Sequence, residues 1–194
     1  MKPRALSLFA VILFTVAAWA QGSEWQIDPA HSTIGFTVRH LGISNVHGRF
    51  TKVSGSAMLD DNDITKSSVN ATIDVASIDT GNQNRDNDLR SPNYFDAAQF
   101  PTMTFKSKSI SKDGEGKLKI VGDLTIHGVT KEVTLDEEGP SAPAKMGPMQ
   151  RRGLSATTSI NRKDFGVGSK ASAAMVGEEI KIQIDSELTQ KAAQ

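Results

Sequence analysis

The sequence predicts an all-β fold, an antiparallel β-barrel of about eight strands. Three observations predict it. Apolar residues recur at every second position over much of the chain, the mark of strands with one buried face. Turn signals separate these runs at short, regular intervals. No heptad pattern, internal repeat or long amphipathic helix competes with them.

In chain order, Ile34, Phe36 and Val38 alternate with Thr33, Gly35, Thr37 and Arg39, which places Arg39 outside the barrel. Phe50 to Leu59 is a further strand with a weaker pattern, and Val69, Ala71, Ile73 and Val75 make a clear one. Met103 to Lys108 is again weaker. Leu118, Ile120, Leu124 and Ile126 share a phase across Gly122, and Val133 and Leu135 follow. Leu154, Ala156, Thr158 and Ile160, then Ile180, Ile182, Ile184 and Leu188, complete the set. Turns fall at Leu41 to Val46, Asp60 to Asp63, Asp113 to Gly116, His127-Gly128 and Gly139 to Pro148. Two stretches break the pattern. Asn82 to Tyr94 reads as a short helix stopped near Pro92, and Asn161 to Val176 reads as a second helical turn or a lid.

A sheet of this size can close on itself and so remove its exposed edges. Its interior is then either filled by side chains or holds one ligand. Periodicity reports which face is buried and not how much volume stays open, so the residues alone leave a hollow and a solid barrel both open.

The first 20 residues read as a cleaved export signal: Lys2 and Arg4, an apolar run from Leu6 to Val16, and Ala18-Trp19-Ala20 before the cut. The domain is then 21–194, with 20 basic and 22 acidic residues and no basic run, which argues against a nucleic-acid partner. With no cysteine there is no disulfide framework, and stability must come from packing and sheet closure.

Little in the chain suggests catalysis or a metal. His31, His40, His47 and His127 lack the paired spacing of zinc ligands. Asp60-Asp61-Asn62-Asp63 lacks the glycine and glutamate of a calcium loop. Gly166-Val167-Gly168-Ser169-Lys170 reverses the Lys-Ser order of a phosphate loop, and no Gly-x-Ser-x-Gly elbow occurs. No metal, cofactor or catalytic residue is therefore expected. Asn70-Ala71-Thr72 matches a glycosylation acceptor, which carries little meaning behind a bacterial-looking signal.

The order of short motifs is more specific. Ile27-Asp28-Pro29-Ala30-His31-Ser32, Phe36-Thr37-Val38-Arg39-His40, Gly48-Arg49-Phe50, Ser77-Ile78-Asp79-Thr80, Arg85-Asp86-Asn87-Asp88-Leu89, Phe95-Asp96, Phe100-Pro101, Gly122 to Thr130 and Arg162-Lys163-Asp164-Phe165-Gly166 stand in series. Together, from about Trp25 to Leu188, they resemble the YceI-like family, also described as polyisoprenoid-binding periplasmic proteins. The resemblance implies a lipocalin-like barrel with a short helix near one end and an apolar tunnel holding a long isoprenoid or other fatty amphiphile. It also implies a periplasmic location, a lipid as bound ligand and partner, and transient contact with a membrane. Where relatives commonly carry histidine this chain has Asp88; facing a ligand's head, it would favour a less anionic head group.

On this reading the tunnel is lined by Ile34, Phe36, Val38, Phe50, Leu89, Tyr94, Phe95, Phe100, Phe105 and Phe165, and its polar mouth by His31, Ser32, Arg85 and Asp86. Arg85 and Leu89 suit a lid over a ligand; an Arg85-Asp86 pair tying the helix to the barrel rim is the structural alternative. The expected function is non-covalent binding and carriage or sequestration of a polyisoprenoid, isoprenoid quinone or fatty amphiphile. An enzyme working on lipid or redox substrates through His31, and a solid-core stress-protection or interaction module, are the alternatives.

Overall fold

The computed structural model describes residues 22–191; the signal segment expected at 1–20 lies outside them. The described residues form twelve strands: β1 (Ser23–Ile27), β2 (Thr33–His40), β3 (Ser44–Phe50), β4 (Val53–Leu59), β5 (Ser68–Asp74), β6 (Ile78–Asp79), β7 (Thr102–Lys112), β8 (Lys117–Ile126), β9 (Val129–Glu138), β10 (Ala144–Met146), β11 (Met149–Asn161) and β12 (Val176–Lys191). One helix, α1 (Gln83–Arg90), stands between β6 and β7.

Eight of these strands close a ring in the order β11-β9-β8-β7-β5-β4-β1-β12, with β12 returning to β11. Every neighbouring pair is antiparallel. The remaining strands prolong the wall rather than add to its circumference. β2 continues β1 along the same side of β12, β3 pairs with β2, and β6 pairs with β3. The eight positions expected from the sequence are thus present, three of them interrupted.

Each interruption has a local cause. Between β1 and β2 a 3-10 turn, Pro29–His31, is capped by Asp28, whose Oδ1 accepts from the Ala30 N–H at 3.0 Å. Between β5 and β6 a second, Val75–Ser77, is capped by Asp74, accepting from Ala76 at 2.9 Å. Between β3 and β4 the chain bends at Thr51-Lys52, and Ser77 ties it down by accepting from the Lys52 N–H.

The breaks change the parity of the inward face. Phe50 is inward on β3, yet Val53, Ala57 and Leu59 are inward on β4. In β7 a bulge between Ser107 and Ser109 has the same effect, so Met103 and Phe105 give way to Ile110. This explains why these two runs alternate weakly in the sequence.

Gly122 continues the inward phase of β8 instead of interrupting it. A Cβ there would sit 2.5 Å from Phe105 Cζ and 2.6 Å from the Lys106 carbonyl oxygen, so glycine makes room for the Phe105 ring. Gly48 stands in the same relation to the Phe36 ring.

Helix α1 begins with Asn82, whose side chain accepts from the Arg85 N–H at 3.1 Å, and ends before Ser91-Pro92, the proline disfavouring helix at the residue before it. It is shorter than the span expected from the sequence. The stretch read as a second helical turn or lid is a 3-10 turn, Arg162–Phe165, followed by a run of turns leading into β12.

Replacing Gly122 by Ala is expected to destabilise the fold by about 1–3 kcal/mol through overpacking against Phe105. In urea denaturation, combining it with Phe105→Leu should cost less than the sum of the two single changes. Strict additivity would refute the claimed contact.

Candidate functional site

The inward face encloses a cavity of about 230 Å³, where a single water needs about 10–15 Å³ on the same measure. Its lining runs from Leu59, Ile64 and Pro140 at one end of the barrel to Leu89, Tyr94 and Val167 at the other. Apart from Ser67, Ser68, Tyr94, Glu137, Thr158, Arg162 and Ser186, every described lining residue is aliphatic, aromatic, methionine, glycine or proline. Such a space stays dry and accepts apolar molecules. Left unfilled, a void of this size costs about 5 kcal/mol at about 24 cal/mol per Å³, comparable with the whole stability of a small domain. A wall that sustains this cost is not simply a poorly packed core.

Nine of the ten residues expected to line a tunnel do face the cavity: Ile34, Phe36, Val38, Phe50, Leu89, Tyr94, Phe95, Phe105 and Phe165. Phe36, Phe50 and Phe95 form a chain of rings with centroids 5.9 and 5.8 Å apart, the second pair edge to face. Phe100 is the exception. It lies on an irregular segment, where alternation has no meaning, and packs on His127 with centroids 4.4 Å apart, outside the lining.

The expected polar mouth is not assembled. None of His31, Ser32, Arg85 and Asp86 lines the cavity. His31 sits half-exposed on the outer 3-10 turn, its Nδ1 2.9 Å from Asp28 Oδ2. Ser32 meets Ser186 hydroxyl to hydroxyl at 2.8 Å, so only Ser186 reaches the interior. Asp86 is buried and accepts from the Thr80 N–H and hydroxyl, while Arg85 donates to the Thr80 hydroxyl and carbonyl oxygens. Both residues are therefore held on Thr80, in the turn between β6 and α1, rather than paired with each other. Only Leu89 of that helix reaches the cavity. Asp88 is exposed, accepts from Asn93, and stands away from the lining, so it does not set a head-group preference there.

Asp28, His31 and Glu187 bring ligand-type atoms within 4.8 Å of one another. Arg151 already occupies the centre of this group, with Nη1 2.7 Å from Asp28 and 2.8 Å from Glu187. Hydrogen bonds from His31 and Arg151 hold the Asp28 carboxyl down at about 2. The cluster is a strap joining the β1–β2 turn to β11 and β12 on the outside of the barrel.

Two charged lining residues escaped the sequence reading. Arg162 is buried, and its guanidinium spends five N–H bonds on backbone carbonyls of Gly177, Val167, Gly168, Ala171 and Val176. It thereby folds the 166–176 turns over one end of the cavity. Nothing in its local sequence signals this. Glu137 is buried at 5% exposure with aliphatic neighbours, and burial pushes its carboxyl up to about 7. Here a signal existed: Glu137 is the third position in phase with Val133 and Leu135.

A model of the YceI-like domain matches residues 25–188. A UPF0312 protein of Vibrio vulnificus is 35% identical over 185 residues, covering 94% of this chain and 98% of the relative. The crystal structure of a Campylobacter jejuni YceI protein superposes with a TM-score of 0.72 at 35% identity, over 79% of this chain and 90% of that one. A polyisoprenoid-binding domain from Saccharophagus degradans shares the fold, with a TM-score of 0.64 at 16% identity over 87% and 98% of the two chains.

The raised pKa of Glu137 has a consequence for stability. Below its ordinary value of 4.5 both folded and unfolded chains hold the proton; between 4.5 and about 7 only the folded chain does. Stability from this group is therefore full below 4.5 and is lost as pH rises towards 7, by about 3 kcal/mol in all. Urea denaturation across this range should show the decline in the wild type and its absence in Glu137→Gln. An identical pH slope in both proteins would contradict the assignment.

Proposed function

The chain belongs to the YceI-like family, and from that membership together with the hollow barrel we propose that it binds a long-chain apolar lipid non-covalently and carries or sequesters it in an aqueous compartment. The observation that carries this reading is the dry, end-to-end apolar lining of the cavity. The polyisoprenoid-binding domain that shares the fold supports a polyisoprenoid, an isoprenoid quinone or a similar fatty amphiphile as the class of ligand.

The physics is burial of tail surface. Each methylene that leaves water gains about 0.8 kcal/mol, so a run of about ten gains about 8 kcal/mol before the costs of ordering. Directional contacts are not required for holding; tunnel length and shape would select the ligand. A binding protein rather than an enzyme fits the placement of His31, which is hydrogen-bonded to Asp28 on the outer surface and stands outside the cavity lining. A solid-core module does not fit the open interior.

The export signal read at 1–20 supports a periplasmic location, where a lipid crossing water needs a carrier. Delivery requires contact with a bilayer. Leu41 and Ile43, on the β2–β3 turn, and Met175 are exposed, and the Leu41 N–H donates to the Met175 carbonyl at 3.0 Å. This apolar tip adjoins Val38 and Val176 of the lining and is the surface suited to touch the membrane.

Protein recovered from a periplasmic fraction should begin at Gln21 by intact mass and yield a stoichiometric lipid on organic extraction and mass spectrometry. Ala71→Trp, which fills the cavity from β5, should lower lipid occupancy about tenfold or more while the circular-dichroism spectrum is kept. Protein that repeatedly yields no lipid would end the proposal. Ile43→Asp should slow lipid transfer between vesicles at least severalfold without changing occupancy; an unchanged rate would remove the tip from the delivery step.

A further inference from the structure

Among the described residues Glu137 is the one acidic side chain in the cavity lining, and the proposed lipid-holding role does not use it. It lies on β9 in register with Leu118 of β8 and Ala156 of β11. That level belongs to the end of the barrel closed by Leu59, Ile64, Ser67 and Pro140. Among the described residues no cation is paired with it. On the flanking strand β8, Lys117 and Lys119 take the opposite phase and pair outside, Lys117 with Glu138, and Lys119 with Asp113 and Asp136. From β11 the charged group at this end is Arg152, also buried, whose guanidinium is engaged by Asp61 at 2.6 Å and lies 4.9 Å over the Trp25 ring. Arg162, the other charged lining residue, is at the far end, with its donors spent on carbonyls. Desolvation alone acts on the Glu137 carboxyl, with no hydrogen bond to offset it.

A buried carboxyl without a partner is costly, and costlier still when charged. In this setting it keeps its proton up to about pH 7 and presents an O–H to the cavity. The group that best satisfies it is an oxygen that accepts a hydrogen bond and brings no charge of its own. A phosphate or carboxylate would set a second acid against it in an apolar medium. An ammonium would have to be stripped of water to form a buried ion pair, whose gain seldom exceeds that cost.

We infer that Glu137 is a polar anchor at the Leu59–Pro140 end of the cavity, selecting a ligand whose apolar chain carries one uncharged acceptor oxygen, a carbonyl or hydroxyl, at the end that lodges there. The inference rests on the lipid-holding reading and names the chemistry of one end of the ligand.

Delipidated protein loaded with diphenylhexatriene provides the test, with displacement by dodecane, methyl decyl ketone and dodecylamine. At about pH 6 the wild type should prefer the ketone to dodecane about tenfold, and at about pH 8, where the O–H is lost, the preference should vanish. Glu137→Gln, whose amide still donates, should keep the preference at both values; Glu137→Leu should show none at either. A ketone preference that survives in Glu137→Leu overturns the anchor. So does a wild type that binds dodecane and ketone equally at about pH 6, while lipid holding itself stands. Tighter binding of dodecylamine than of the ketone overturns the uncharged class. If diphenylhexatriene and all three compounds fail to bind the wild type, both the anchor and the lipid-holding proposal fall.

Discussion

The ladder between β11 and β12 is the constraint on which the rest depends. Thirteen residue pairs, from Met149↔Lys191 to Asn161↔Glu179, join the last two long strands and turn a twelve-strand ribbon into a ring. Without it β11 and β12 would present free edges, and the aliphatic face of every strand would open to water. With it, that face turns inward on itself. Eight strand positions are enough to leave an interior that side chains of Ile, Val, Leu and Ala do not fill.

Closure alone would give a regular tube. The three interrupted positions and the bulge in β7 shape it. Each resets which residues face inward, so that Ile27 and Ile34, or Phe50 and Val53, all reach the cavity despite their unequal spacing. Aspartates at the starts of the 3-10 turns satisfy backbone donors released by the breaks, and the strap of Asp28, His31, Arg151 and Glu187 holds one break closed from outside. Polar residues that resembled ligand contacts are in this way structural, their hydrogen-bonding capacity used within the wall.

The two charged side chains in the lining show two ways of living with burial. Arg162 is fully paired with carbonyls and acts as the centre of a folded turn region. Glu137 is unpaired and shifts its proton equilibrium instead. One is a completed network; the other is a hydrogen-bonding capacity left open towards the space that a ligand would enter.

The sequence by itself determined the strand phases, the short helix at Asn82 and the inward placement of Ile34, Phe36, Val38, Phe105 and the β12 isoleucines, because alternation is a local property carried by each strand. It also contained Glu137 in phase with Val133 and Leu135, although a charged residue at that position reads naturally as the end of a strand. What only the tertiary structure decided was everything that depends on which surfaces meet. The hollow interior, the pairing of Ser32 with Ser186 and the displacement of Phe100 onto His127 follow from long-range register, whereas His31, Arg85, Asp86 and Arg162 are engaged by partners in their own local turns, chemistry that alternation does not report. Periodicity identifies a buried face; whether the faces touch or stand apart is settled by the circumference at which the ring closes.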